Sequence, residues 1–245
     1  MWDRVQLKTK AKEVLKRNYW KAFLISFILM LVGGESSGGS NASNNSTRWN
    51  MGPDYISFDF IIGALAIIII VGIVFSLIRI FLGYVVEVGG RKFFIRAAVN
   101  DSDMNYLGFG FSSTRYIEII KTMFVRGILI FLWTLLLIIP GIVKSYAYRM
   151  VPYILADNPN IGYRMAIELS NEMTMGHKLD IFILDLSFMG WYLLGVLLFG
   201  IGTLFVRPYD DATNAELYLE LRENAVRSGM CTCGELNLSS EEVFR

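Results

Sequence analysis

The chain has 245 residues, 54% of them apolar and 18% charged, with a mean hydropathy of +0.46 and a formal net charge of +1. This is too oily for a water-soluble domain of such length, and no basic patch interleaved with aromatics occurs outside membrane-flanking positions, which argues against a nucleic-acid partner. The class this points to is an all-α, polytopic membrane helical bundle.

In chain order, residues 4–17 space Leu7, Ala11, Val14 and Leu15 on one helical face with Lys8, Lys12 and Lys16 on another. This predicts an amphipathic surface helix, lying on anionic headgroups or packed as a lid on the protein itself. The excess of Lys and Arg over acids in residues 1–21 puts it in the cytoplasm. The run at 22–34 is short, but spans if Tyr19 and Trp20 sit at the interface and Lys21 snorkels. A basic segment before an apolar run resembles a signal peptide; yet the basic part reads as its own helix and Gly33-Gly34-Glu35-Ser36 is a poor cleavage site, so a retained span is expected. Residues 33–57 are Gly/Ser/Asn-rich and predict an outer loop, whose N-x-S/T triplets at Asn41, Asn44 and Asn45 read as low-complexity coincidence.

A second span is expected over 58–86, with Arg79 and Glu87 reaching the headgroups. Residues 87–126 predict a basic cytoplasmic loop, broken at Gly89-Gly90, Asn100 and Asp101-Ser102-Asp103. Within it Ser112-Ser113-Thr114 offers N-caps for a second surface helix with Ile117, Ile120 and Phe124 on one face.

The remaining charge-free runs, 127–143 and 186–206, each approach the roughly 20 residues of a crossing. Taken singly they give four spans and leave 144–180 outside. Pro140-Gly141 instead suggests a turn, with residues 142–156 returning as a fourth span. Asn158 and Pro159 then start a third surface helix, 160–176, with Ile161, Met165, Leu169 and Met173 opposite Arg164, Glu168 and Glu172. The last run repeats the design: a fifth span, a turn at 199–202, and a sixth span over 203–222. The preferred reading is six spans as three hairpins, each preceded by a cytoplasmic surface helix. Residues 1–222 form the membrane domain, residues 223–245 a polar cytoplasmic tail, and both termini lie inside.

Spans four and six carry charge that costs a few kcal/mol per group at the bilayer centre, about 3 on insertion scales. Counting inward from the outer turns places Arg149 about 13 Å and Asp210 about 14 Å deep. This predicts that Arg149 pairs with Asp210 or Asp211, with Lys144 and Arg207 nearer the outer surface.

The stretches KRNYWKAF, IIPGIVKSYAYRMVPYILADNP, GHKLDIFILDLSFMGWYLLG and RPYDDATNAELY resemble the bacterial integral membrane family catalogued as domain of unknown function 975. More distantly, the Pro-Gly turn followed by a surface helix is similar to the membrane domain of some glycerophosphodiester phosphodiesterases. The resemblance implies a bacterial plasma-membrane protein and supplies no activity.

The candidate functional set is Lys144, Arg149, Asp185, Arg207, Asp210, Asp211 and Asn214. Ionisable groups inside a membrane mark paths for small polar or ionic solutes. The same set serves equally as an ion network holding weakly hydrophobic helices in a structural or interaction protein. Tyr146, Tyr148, Tyr153, Tyr209 and Tyr218 read as interface anchors, or as the lining of a polar cavity. His177 alone makes no metal site, and Cys231 and Cys233 read as plain thiols, because zinc sites need four ligands. No catalytic fingerprint occurs, so no catalytic residue, metal or cofactor is assigned and an enzyme is not expected. The expected partners are the bilayer, its anionic headgroups, and a second copy or another membrane subunit.

Overall fold

The computed structural model describes residues 3–32, 58–197, 201–239 and 242. Among these all regular structure is helical: α1 (Arg4–Val32), α2 (Phe58–Ile78), α3 (Tyr84–Ala98), α4 (Ser113–Leu136), α5 (Ile138–Ala147), α6 (Val151–Asp157), α7 (Tyr163–Met173), α8 (Lys178–Leu197) and α9 (Ile201–Arg227), with a 3-10 helix at Met104–Phe111. Three stretches are long and apolar enough to cross a membrane: Leu65–Ala98, Thr114–Leu136 and Lys178–Leu197. The predicted outer loop 33–57, with its N-x-S/T triplets, lies outside the described residues, as do residues 199 and 200 of the predicted last turn.

α1 is two helices in one. Asn18 leaves helical geometry (φ −133°, ψ 27°), and its Oδ1 accepts a hydrogen bond from Ser102 Oγ at 2.8 Å. Before this kink Leu7, Ala11 and Leu15 are buried, and after it Ala22, Ile25, Ser26 and Leu29 are buried, each set at helical spacing. Both stripes pack within the protein, mainly on α9 and α3. The apolar face of the first surface helix is thus covered by protein, while Lys10, Lys12 and Lys16 stay exposed.

A π-helical turn, Arg79–Gly83, joins α2 to α3, so one continuous helix leaves the core as α2. Among the described residues, the apolar side chains of α2 from Leu65 to Ile78 are exposed, and the helix packs chiefly on that turn. α3 is the reverse case, buried from Glu87 to Ile95. The expected break at Gly89-Gly90 does not occur. Both glycines sit inside α3, where a Cβ on Gly90 would stand 2.8 Å from the Leu29 methyls, so the small residue buys the close approach of α1. Glu87, expected at the headgroups, is buried with them.

α4 and α5 fold back on one another. The reversal is at Leu137, whose φ of −158° and ψ of 138° are extended, and Pro140-Gly141 lies inside the first turn of α5, not at the bend as the sequence suggests. Proline fits there because a helix start leaves its donors unused. Gly141 lets the two helices touch: a Cβ would meet Thr134 Cα at 2.7 Å. Further down, Arg126 Nε donates to Tyr148 O at 2.9 Å, which sets the antiparallel register. α8 and α9 fold back likewise, with Gly195 against Gly202 and Thr203, and with Phe188 and Tyr209 rings 5.1 Å apart.

α7 starts at Tyr163 after Gly162 (φ 86°), later than the Asn158-Pro159 start expected. Asn158 closes a local turn instead: its Oδ1 accepts from Asn160 N and its Nδ2 donates to Glu235 O. The buried face of α7 is Ala166, Leu169, Ser170 and Met173, leaving Arg164 and Glu168 exposed. The polar tail is also less free than its composition suggests. α9 continues to Arg227, Cys231 and Leu236 are buried, and Glu242 pairs with Arg96 at 2.8 Å. Both cysteines are free thiols, and burial pushes Cys231 up to about 11.

Candidate functional site

The charged residues converge where α6 and α9 both pack on α3. α6 and α9 run parallel there with a constant offset: Arg149 meets Asn214 and Asp157 meets Arg222, each pair 65 residues apart, while Tyr153 stacks on Tyr218 with ring centroids at 5.3 Å. Positions 149, 153 and 157 recur every fourth residue, as do 214, 218 and 222. One stripe of α9 therefore carries all three contacts, while α6 supplies Tyr153 and Asp157 and the break before it supplies Arg149.

Arg149 lies at a break between α5 and α6. Pro152 cannot donate to Tyr148 O, which takes Arg126 Nε instead. Ala147 O accepts from Ser170 Oγ at 2.8 Å and Thr174 Oγ1 at 3.3 Å, and Met150 N donates to Ser170 Oγ at 3.1 Å. The unwound backbone is thus satisfied by side chains of α4 and α7, the condition for non-helical chain away from water.

The guanidinium of Arg149 makes a bidentate pair with Asp185, Nη1 to Oδ2 at 2.6 Å and Nη2 to Oδ1 at 2.8 Å. Tyr146 OH donates to the same carboxylate at 3.0 Å. Nη2 also donates to Asn214 Oδ1 at 2.8 Å, and Asn214 Nδ2 donates to Asp210 Oδ1 at 2.9 Å. Asp210 further accepts from Tyr192 OH at 2.8 Å. The pairing expected from depth, Arg149 with Asp210 or Asp211, is therefore replaced by Arg149 with Asp185, and Asn214 bridges to Asp210. The reason is rotational: the side of α9 facing Arg149 carries Asn214, one turn beyond Asp210.

Asp211, on another side of α9, pairs with Arg91 Nη1 at 2.7 Å and accepts from Ser26 Oγ at 2.6 Å; both ion-pair side chains are 5% exposed. Tyr153 lies under the Arg91 guanidinium at 5.2 Å. A third pair, Arg222 with Asp157 at 2.9 Å, is as deeply buried and takes Tyr218 OH at 2.8 Å. Two members of the predicted set stand apart. Lys144 sits over the Trp133 and Tyr148 rings, and Arg207 is half-buried with no hydrogen bond to its Nε among the described residues.

The sequence reading missed Arg91, Ser26, Tyr192, Asp157 and Arg222. Arg91 was hidden by the assignment of 87–126 to a loop, although Val85, Val88, Phe93 and Phe94 are apolar at near-helical spacing. Tyr153 and Tyr218 are buried network members, not interface anchors. His177 lies 3.8 Å from Asp180 at the start of α8. No cluster of metal-ligating residues occurs among the described residues. Two open surface concavities, about 400 and 420 Å³, are lined by Lys12, Leu15, Lys16, Tyr19 and Tyr209, and by residues of α7, the turn after it, α9 and the tail; Arg149, Asp185, Asp210 and Asp211 line neither.

Residues 134–225 match the family described as Protein of unknown function (DUF975). The matched stretch contains Arg149, Asp157, Asp185, Asp210, Asp211, Asn214 and Arg222, while Ser26 and Arg91 precede it. No curated protein and no solved structure matches the chain.

Proposed function

We propose that the chain is a non-catalytic integral protein of the bacterial plasma membrane whose buried charges are a folding network. The N-terminal helix and the tail lie on the cytoplasmic side, with Lys10, Lys12 and Lys16 toward anionic headgroups. The observation that carries the reading is the mutual pairing of the buried charges. Arg149 with Asp185, Arg91 with Asp211 and Arg222 with Asp157 are each held at 2.6–2.9 Å by fixed partners, away from both concavities. Buried ion pairs of this kind add little net stability over apolar packing, but they penalise misassembly, because a separated member is stranded without water. The surfaces left for partners are the exposed apolar helices and the surface helices, which suits a structural or interaction role.

One observation favours the second reading, transport of a small polar or ionic solute. Arg149 sits at a broken helix, the arrangement that transporters use at binding sites. Asp210→Asn separates the two. In the folding-network reading the variant either keeps full stability or loses expression and thermal stability, and proton and potassium flux in reconstituted vesicles equals that of empty vesicles throughout. Wild-type flux above that baseline, abolished by a normally expressed and stable Asp210→Asn, would replace it with transport.

A further inference from the structure

A charge-free run long enough to cross a bilayer as one helix is too short to cross it once folded in half, and both C-terminal apolar runs are folded. In the first, residues 127–136 of α4 rise about 15 Å to the bend at Leu137, and residues 138–143 of α5 return about 9 Å before Lys144. In the second, residues 186–197 of α8 rise about 18 Å, and residues 201–206 of α9 return about 9 Å before Arg207. The hydrocarbon core of a bilayer is about 30 Å thick, so these legs match one leaflet.

The tips agree. A hairpin that crosses presents its bend to water or headgroups, where polar or interfacial aromatic residues are expected. Here Leu135, Leu136, Leu137, Ile138 and Ile139 are between 62% and 75% exposed, and Leu197 at the other tip is 80% exposed. The first bend is also built to leave few open donors: Leu137 N donates to Trp133 O, Gly141 N donates to Leu137 O, and Pro140 has no N–H.

The base of the hairpins is ionic. Ser170 and Thr174 fasten α7 to Ala147, about 15 Å back from the first bend, yet α7 exposes Arg164 and Glu168. On α4 Lys121 is 51% exposed. Solvated charge at that level is incompatible with a bilayer midplane and natural at its surface.

We propose that the α4–α5 and α8–α9 hairpins are re-entrant: each dips from the cytoplasmic side into a single leaflet and bends near the midplane. Their apolar legs are covered by the acyl chains of that leaflet, with Lys121 on α4 and, by snorkelling, Lys144 on α5 reaching its anionic headgroups. α2 is different, because the continuous helix over residues 58–83 rises about 39 Å, enough to cross completely. The inference rests on the membrane reading of the chain and replaces the six crossings expected from hydropathy.

The test uses the full chain with Cys231→Ala and Cys233→Ala, adding Leu137→Cys or Leu197→Cys at a tip and Glu168→Cys at the base. Spin-labelled tips in vesicles of phosphatidylethanolamine and phosphatidylglycerol are expected to collide with oxygen and not with a water-soluble nickel chelate, at midplane depth. In cells, an impermeant maleimide is expected to miss both tips from either side and to label Glu168→Cys only after permeabilisation. Labelling of the tips from outside, or nickel contact at the tips, overturns the proposal. Variants are compared only if they elute as wild type in detergent, and Leu136→Cys reports the same depth should Leu137→Cys misfold. A chain released from membranes by carbonate would refute the membrane reading itself, whereas a retained chain with wet tips refutes only the re-entrant hairpins.

Discussion

Removal of the charges at Arg149 and Asp185, singly and together, distinguishes the observed pairing from the one that depth alone suggests. The Asp185 carboxylate receives two charge-assisted bonds, at 2.6 and 2.8 Å, and one from Tyr146. Hydrogen bonds to charged groups contribute about 1.5–3 kcal/mol each, and stranding one member of a buried pair costs about 3–5 kcal/mol. The side chains retain 13% and 14% exposure, so water relieves part of that cost and the lower end, about 3 kcal/mol, is expected for Asp185→Leu. For a chain of this size that lowers the melting temperature by about 6–12 °C. The assay is a thermal unfolding series in detergent on Arg149→Met, Asp185→Leu and the double variant, with Arg149→Met/Asp210→Leu as the comparison cycle. Coupling of at least about 2 kcal/mol is expected between 149 and 185, and a smaller value between 149 and 210 because Asn214 intervenes. Equal coupling in the two cycles, or a larger value for 149 with 210, would refute the assignment.

Other consequences are cheaper to check. Gly141→Val forces a side chain against Thr134 and is expected to cost about 1–3 kcal/mol, read as a lower melting temperature, while Gly72→Ala, with nothing within 4 Å, leaves it unchanged. Cys231, pushed by burial from 9.0 to about 11, is expected to react about a hundredfold more slowly than an ordinary thiol at pH 8, and Cys233 faster than Cys231 in timed labelling. The raised thiol stabilises the fold fully below about pH 9 and loses that contribution as pH rises toward 11, so alkaline unfolding shifts upward in Cys231→Ala. Glu242 is held below its usual 4.5 by the Ser239 amide and by Arg96. Its contribution is full above about pH 4.5 and fades as pH falls through the lowered value; acid exposure of Cys231 to dithiodipyridine measures this, and Glu242→Gln abolishes the dependence.

The helical class and the return of the chain toward Asp157 were legible as periodicity and punctuation, whereas the bend falls at Leu137 and not at Pro140-Gly141, and the apolar face of 4–17 packs on protein. The gathering of Arg149, Asp185, Asp210 and Asn214 was legible too, since charge in oily helices needs company. The partner of Arg149 was not legible. Depth follows from residue count at a fixed rise, but which side of α9 faces α6 depends on how α1 and α3 pack around it, and no local signal reports that rotation. Arg91 escaped for a related reason. Gly89-Gly90 reads locally as a break, and becomes helix interior only because Leu29 and the chain near Leu107 press against it.

The sequence by itself determined that this chain is helical, that it seeks a membrane, and that its return helices carry charge, because composition and 3.6-residue spacing act locally. Only the tertiary structure decided where the apolar runs bend and which charges meet. A bend at Leu137 halves the reach of a run that hydropathy counts whole, and the offset between α6 and α9 matches Asp157 to Arg222 and Arg149 to Asn214. The bend is fixed by Gly141 against Thr134 and by Arg126 with Tyr148, 22 residues apart, and the offset by side chains 65 residues apart.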